Sequence, residues 1–161
     1  MAILKMLKDL FEETKVTYEI FDHALAYTTQ EIAARQHVPG DQMAKVVILE
    51  VDGKLIMAVI TGNQNIDLDT ARDNLGAKQV RLAREDEFAW RFPGCDNGAI
   101  PPFGNLFGLR VIVDPALAKD EFIYFNAGNH VQTVRLRYQD FLALVKPQIA
   151  RLTDMPKRKA A

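Results

Sequence analysis

The sequence predicts an α+β fold: a single domain in which a mixed, curved β-sheet with hairpins is flanked by helices. Three observations carry this expectation. Runs with strand composition outnumber amphipathic helical ones. Some neighbouring strands are joined by tight-turn signals and others by long stretches, so hairpins and crossovers are mixed. The 161 residues, 48 % hydrophobic and 25 % charged, show no internal repeat and no linker, which suits one domain with a real core. The expected domain is 1–150, followed by a flexible basic tail over 151–161 that ends in PKRKAA.

Residues 3–14 predict an amphipathic helix with Ile3, Leu7, Leu10 and Phe11 on one face. Val16 to Phe21 alternates and is β-branched and aromatic, so it reads as a strand. Thr28 and Glu31 form a capping box that opens a helix ending before Pro39-Gly40. Ala44–Glu50 and Leu55–Thr61 are nearly unbroken apolar strands around Asp52-Gly53, a hairpin signal. Two such runs predict the buried centre of a sheet. Asp67 or Asp69 can cap a helix that ends at Leu75 before Gly76. A short strand over 78–82 and a short helix over 84–92 follow. Beyond a long Gly/Pro loop come strands over 109–114, 122–125 and 131–136, and a helix from Asp140 to Val145 with Phe141, Leu142 and Val145 turned inward.

Composition excludes several classes. The formal net charge is −1, so any nucleic-acid contact must be a local patch. One cysteine rules out an internal disulfide and fits a reducing compartment. The N-terminal apolar stretch is interrupted by charges and does not read as a signal peptide, and no apolar run is long enough to span a membrane. The chain therefore reads as a cytoplasmic, soluble protein. His23, His37 and His130 lack metal-ligand spacing, and one cysteine cannot build a zinc site, so no metal and no cofactor are expected.

Chemistry has few places to sit. From Pro93 to Gly108, seven of sixteen residues are Gly or Pro. Such a segment is a shaped loop whose main-chain groups are available to a ligand, or simply a surface connection. Lys45, at the head of an apolar strand, is either a snorkelling surface lysine or an anchor for phosphate or carboxylate. Asn126, Gly128 and His130 flank a tight turn that is either a capped turn or one wall of a cleft. Cys95 lies within the Gly/Pro loop as a candidate nucleophile or a small turn residue.

Six stretches in order, FDHALAYTTQEIAA, GDQMAKVVIL, GNQNIDLDTARDNLGAK, FPGCDNGAIPPFG, VDPAL and NAGN, resemble the YbaK/prolyl-tRNA-synthetase-associated family of aminoacyl-tRNA editing domains over residues 15–146. The family's glycine–three residues–proline motif matches Gly98, Ala99, Ile100, Pro101 and Pro102. Its strand-leading lysine matches Lys45, its histidine before the T-x-x-E helix matches His23, and a late histidine matches His130.

The resemblance implies a hydrolase that cleaves the ester joining a wrong amino acid to the 3′ adenosine of a tRNA. Its partners would be aminoacylated tRNA and a synthetase, with no membrane. The ester is already activated, so hydrolysis needs a positioned water, a polarised carbonyl and an aligned 3′ end. Main-chain groups of Gly98–Pro102 would surround the ester, Lys45 would hold the terminal phosphate or ribose, and His23 and His130 would line the pocket. Thr61, Phe103, Asn126 and Gly128 complete the expected substrate-binding set, and Ile60 and Phe107 are further candidate walls. Small aminoacyl groups such as alanyl, seryl or cysteinyl fit a site that selects by size. A non-catalytic tRNA- or nucleotide-binding module of the same fold and a Cys95-dependent hydrolase are the competing readings.

Overall fold

The computed structural model describes residues 2–22 and 42–154. Helix α1 (Ala2–Thr14) buries Leu7 and Phe11 and exposes Lys5, Lys8, Asp9 and Glu12, as its periodicity predicts. Strand β1 (Tyr18–Asp22) follows. His23 and the T-x-x-E helix lie outside the described residues.

The expected hairpin is present. β2 (Ala44–Val51) and β3 (Lys54–Thr61) pair antiparallel from Ala44↔Thr61 to Val51↔Lys54. Asp52 and Gly53 have φ of 49° and 87°. With both central residues left-handed, a two-residue turn has the twist that antiparallel strands require. The Asp52 carboxylate then accepts the N–H groups of Lys78 and Gln79, at 3.0 and 2.9 Å, and steers β4 (Val80–Leu82) alongside β2. Between these elements runs α2 (Leu68–Leu75). Asp67 caps it by accepting the Thr70 N–H at 2.9 Å, and Gly76 ends it. Asp69 sits instead in the first turn, where a carboxylate faces the positive end of the helix dipole.

The rest of the chain completes two sheets. Helix α3 (Glu85–Phe88) continues as a 3₁₀ turn over Ala89–Arg91 into the Gly/Pro loop. β5 (Val111–Val113) runs parallel to β3. β6 (Phe122–Asn126) and β7 (Gln132–Arg137) are antiparallel neighbours, and α4 (Tyr138–Val145) follows with Phe141 and Val145 buried. β8 (Gln148–Ile149) adds a parallel strand beside β5.

The mixed sheet has the order β4-β2-β3-β5-β8, with β2 and β3 inside it as their unbroken apolar runs predict. The sequence leads to one curved sheet; the structure divides the strands in two, with β1-β7-β6 forming a separate antiparallel sheet. The sheets meet where Met43 bridges Tyr124 in parallel.

Alternation along β2 separates two cores. Ala44 and Ile48 join Met57, Val59, Phe103, Phe125 and Phe141 in the larger one. Leu49 joins Ile56, Ala58, Ile60, Ala71, Ile112 and Leu152 on the other face. Strands buried on both faces carry apolar residues at every position, which explains the unbroken runs.

The tail expected from residue 151 does not begin there. Leu152 and Thr153 are buried. The buried Asp114 carboxylate accepts the N–H groups of Leu152 and Thr153 at 2.8 and 3.1 Å and the Thr153 hydroxyl at 3.1 Å. Thr153 also bridges Ile66. A buried carboxylate needs such donors, and the segment supplies them. Among the described residues no helix is long and apolar enough to cross a membrane.

Candidate functional site

The junction of the two sheets creates a cleft. Two residues beyond the Met43–Tyr124 bridge on each strand stand Lys45 and Asn126. Both line a cavity of about 90 Å³ together with Ala44, Val46, Ile48, Phe88, Gly98 and Ile100. β4 pairs with Leu49–Val51, and the cleft is lined by the earlier residues of β2, Ala44, Lys45, Val46 and Ile48.

The Gly/Pro loop forms the opposite wall, and the Asn126–Gly128 turn clamps it. The Asp96 N–H donates to the Gly128 carbonyl at 2.8 Å, and the Gly128 N–H donates to the Ala99 carbonyl at 2.9 Å. Asn126 Nδ2 donates to the Gly98 carbonyl at 3.3 Å. Gly98 has φ of 78°, a conformation that an L side chain strains, so glycine is needed at this bend. Ala99, Pro101 and Pro102 are buried. Phe103 is fully buried among Phe11, Phe125 and Phe141, with ring centroids 5.5–5.8 Å away, and anchors the C-terminal end of the loop. The N–H groups of Gly98 and Ile100 make no hydrogen bond among the described residues. Gly98 and Ile100 bring the main chain of the loop to the cleft wall, and main-chain N–H groups are the kind of donor that stabilises a developing oxyanion.

Lys45 Nζ donates to the Gln64 carbonyl at 2.6 Å and to Asn65 Oδ1 at 3.3 Å. An ammonium has three donors, so one remains for a ligand. Burial pushes the pKa of this ammonium down from the ordinary lysine value, because part of its hydration is gone. On Asn126, Oδ1 is buried and without a hydrogen-bond partner. The contact of Nδ2 with the Gly98 carbonyl fixes which end of the amide is which. An unpaired buried acceptor beside a cleft suits a cationic or hydroxylic donor brought by a ligand.

Other candidates fall elsewhere. Thr61 is buried and gives its hydroxyl to the contacts with Asn63 and Gln64. Ile60 belongs to the second core. Phe107 packs on Phe92 with centroids 4.8 Å apart. None of these, nor Phe103, lines this cleft; its apolar walls are Ala44, Val46, Ile48 and Phe88. Sequence reasoning missed those four because apolar residues on a strand or short helix read as core. His130 is buried at the start of the segment leading into β7. The Cys95 thiol is pushed up to about 11, first by burial and then by the neighbouring Asp96 charge, which keeps it protonated near neutrality. Among the described residues, no three His, Cys, Asp or Glu side chains gather to hold a metal ion.

A family model described as the aminoacyl-tRNA editing domain matches residues 23–144, about three quarters of the chain. This chain belongs to the aminoacyl-tRNA editing domain family. Among its relatives in this family is the multifunctional Ser/Thr-tRNA deacylase ProXp-y of Escherichia coli K12, 27 % identical over 146 residues, which cover 87 % of this chain and 86 % of that protein. The proline–tRNA ligase of Leuconostoc citreum is 28 % identical over 132 residues, covering 79 % of this chain but 23 % of the ligase. The editing domain thus corresponds to a piece of that larger enzyme. Among solved structures, a candidate trans-editing enzyme for prolyl-tRNA synthetase superposes with a TM-score of 0.80 at 19 % identity over 96 % of this chain and 98 % of its own. That likeness bears on the fold, which this editing domain shares.

Proposed function

We propose that this editing domain is a trans-acting deacylase that hydrolyses the ester between a small, wrongly attached amino acid and the 3′ adenosine of a tRNA. One observation carries the reading: Lys45, Asn126, Gly98 and Ile100 line one cleft. The relatives named for tRNA deacylation and proline–tRNA ligation support the reaction class.

Each group has a task that its surroundings allow. The N–H groups of Gly98 and Ile100 meet the ester carbonyl oxygen as charge develops on it during attack by water. Asn126 Oδ1 accepts from the substrate's α-ammonium. The third donor of Lys45 holds the terminal ribose or its phosphate, a contact that weakens with salt. No side-chain nucleophile is needed, and the protonated Cys95 thiol does not offer one. A hydroxyl of the terminal ribose relays the proton.

Size does the selecting. The cleft is a small cavity, of about 90 Å³. Alanyl, seryl and cysteinyl groups are the ligands this reading favours, because an apolar-walled site excludes larger side chains by size. The near-neutral charge of the chain favours brief contact with tRNA over sequestration. A synthetase that recruits the domain and a cytoplasmic site of action complete the proposal. The test is hydrolysis of a panel of mischarged tRNAs. Release of small aminoacyl groups with bulky ones spared is expected. Binding of tRNA without hydrolysis of any ester would replace the enzyme with a binding module.

A further inference from the structure

A chain with a formal net charge of −1 needs a local patch to hold a nucleic acid. The outer face of the small antiparallel sheet offers one. Phe122 stands opposite Arg137 in the β6–β7 ladder, and Tyr124 stands opposite Arg135. Residues two apart on a strand share a face. Phe122, Tyr124 and the cleft residue Asn126 therefore form one row, with Arg137, Arg135 and Thr133 in the row beside it. The other face of these strands, with Ile123, Phe125, Val134 and Leu136, is core.

The two arginines are arranged around one ring. Arg135 Cζ lies 3.7 Å from the centroid of Phe122, and Arg137 Cζ lies 5.3 Å from it. At these distances the negative face of the ring attracts a cation. Two like charges on one ring also call for anions beside them. Glu19 accepts from Arg135 Nη1 at 2.5 Å, and Glu121 accepts from Arg137 Nη1 at 2.6 Å. The side chains of these carboxylates are 52 % and 66 % exposed. Pairs screened in this way contribute little and can give way to a better anion. A guanidinium has five donors, and each of these two gives a single one to its carboxylate. Arg135 Nε is buried and without a hydrogen-bond partner. Beside the ring opens a groove of about 240 Å³ lined by Thr17, Tyr18, Glu19, Phe122, Arg135 and Arg137. Planar guanidinium forks match the paired oxygens of a phosphate, and side chains already held on a ring lose less freedom on binding one.

Asn126 and Phe122 are four residues apart, about 13 Å along the strand. A phosphate in the groove therefore belongs to a nucleotide that precedes the one carrying the ester. Resting on the deacylase reading for the identity of the RNA, we infer that the Arg135–Phe122–Arg137 groove holds a backbone phosphodiester of the tRNA upstream of its 3′-terminal nucleotide, with Glu19 and Glu121 as the anions it displaces. The carboxylates orient the guanidiniums in the free protein and compete with the RNA, which keeps the contact brief.

The test is an anisotropy titration of uncharged tRNA with the protein from about 50 to about 200 mM NaCl, which needs no hydrolysis. Arg135→Gln and Arg137→Gln should each weaken binding and reduce the steepness of log affinity against log salt by about 0.7–0.9, the share of one phosphate contact. Glu19→Gln and Glu121→Gln should tighten binding, a gain that a purely structural ion pair would not produce. All four variants should hydrolyse a small aminoacyl ester of adenosine, which has no upstream phosphate, at the wild-type rate. Melts confirm folding, and Arg137, with 53 % of its side chain exposed, supplies a variant whose fold does not depend on burial. Wild-type affinity and salt dependence in both arginine variants, or glutamate variants that bind no more tightly than wild type, overturn the inference. An equal loss of adenosine-ester hydrolysis in the arginine variants overturns it as well, and so does loss of synthetase binding with tRNA affinity unchanged, which would give the groove to a protein. If the predicted tRNA binding is found but the wild type hydrolyses no ester, the deacylase reading fails and the groove stands.

Discussion

Replacing Asn126 with alanine separates a functional residue from a structural one. In the folded protein Nδ2 makes one hydrogen bond, to the Gly98 carbonyl at 3.3 Å, while Oδ1 is buried without a partner. Losing the bond costs about 0.5–1.5 kcal/mol, and removing an unsatisfied buried oxygen returns about 1–3 kcal/mol. The two effects oppose each other, so the net runs from a loss of about 0.5 kcal/mol to a gain of about 2.5 kcal/mol, and Tm should fall by no more than about 2 °C. Catalysis should respond differently. If Oδ1 receives the α-ammonium, a charge-assisted hydrogen bond of about 1.5–3 kcal/mol disappears. That corresponds to a loss of about 10- to 150-fold in kcat/KM. The assay pairs a thermal melt with single-turnover hydrolysis of a seryl or alanyl ester. A melt no more than a few degrees below wild type, with a large loss of rate, is the expected result. Unchanged hydrolysis, or a rate loss that merely follows a collapse in Tm, would refute the role given to Oδ1.

Three further outcomes follow from the same geometry. Cys95→Ser should keep full deacylation, since a thiol pushed up to about 11 is protonated near neutrality; loss of activity measured under single-turnover conditions would reinstate a cysteine mechanism. Lys45 has a lowered pKa, so in the pH window between its folded value and the ordinary 10.5 the unfolded chain binds more protons than the folded one. Stability therefore gains from this group as pH rises through that window, while binding that needs the ammonium is lost as pH rises through the lowered folded value; both trends should vanish in Lys45→Met, as read by melts and kcat/KM against pH. Asp114→Ala leaves the Leu152 and Thr153 N–H groups and the Thr153 hydroxyl without their acceptor. The Ala116 N–H, 2.9 Å from the same carboxylate, loses its acceptor too; at about 1 kcal/mol each the four bonds cost about 4 kcal/mol, or about 8–16 °C in Tm, and a melt within 2 °C of wild type would contradict the anchoring.

What the sequence disclosed depended on range. The β2–β3 hairpin was legible because strand pattern and turn chemistry agree within eighteen residues, from Ala44 to Thr61. The Asp67 cap and the Gly76 stop were legible for the same local reason. Lys45 stood out because a charge at the head of an apolar strand is unusual. β8 was not legible: Gln148 and Ile149 are exposed and carry no alternation, and they are a strand only because β5 lies beside them. Asp114 read as the end of a strand, yet it binds a segment almost forty residues later. The division into two sheets likewise depends on the long-range contact of Met43 with Tyr124.

The cleft itself shows both sides of this rule. The Gly98–Pro102 segment was marked by composition and meets Lys45 in the cleft through Gly98 and Ile100. The aromatic rings of the same loop were expected as walls, but Phe103 packs inward against three other phenylalanines. A large ring in a Gly/Pro loop serves equally as an anchor or as a pocket wall, and only the packing decides.

The central claim is that the Lys45 ammonium and the main chain of Gly98 and Ile100 together hydrolyse a small aminoacyl ester. Single-turnover deacylation of alanyl-, seryl- and cysteinyl-tRNA by wild-type protein and by Lys45→Ala tests it most directly, with melts confirming that both are folded. The account predicts cleavage of at least one ester by the wild type and none above the uncatalysed rate by the variant. Equal rates from the two folded proteins would contradict it.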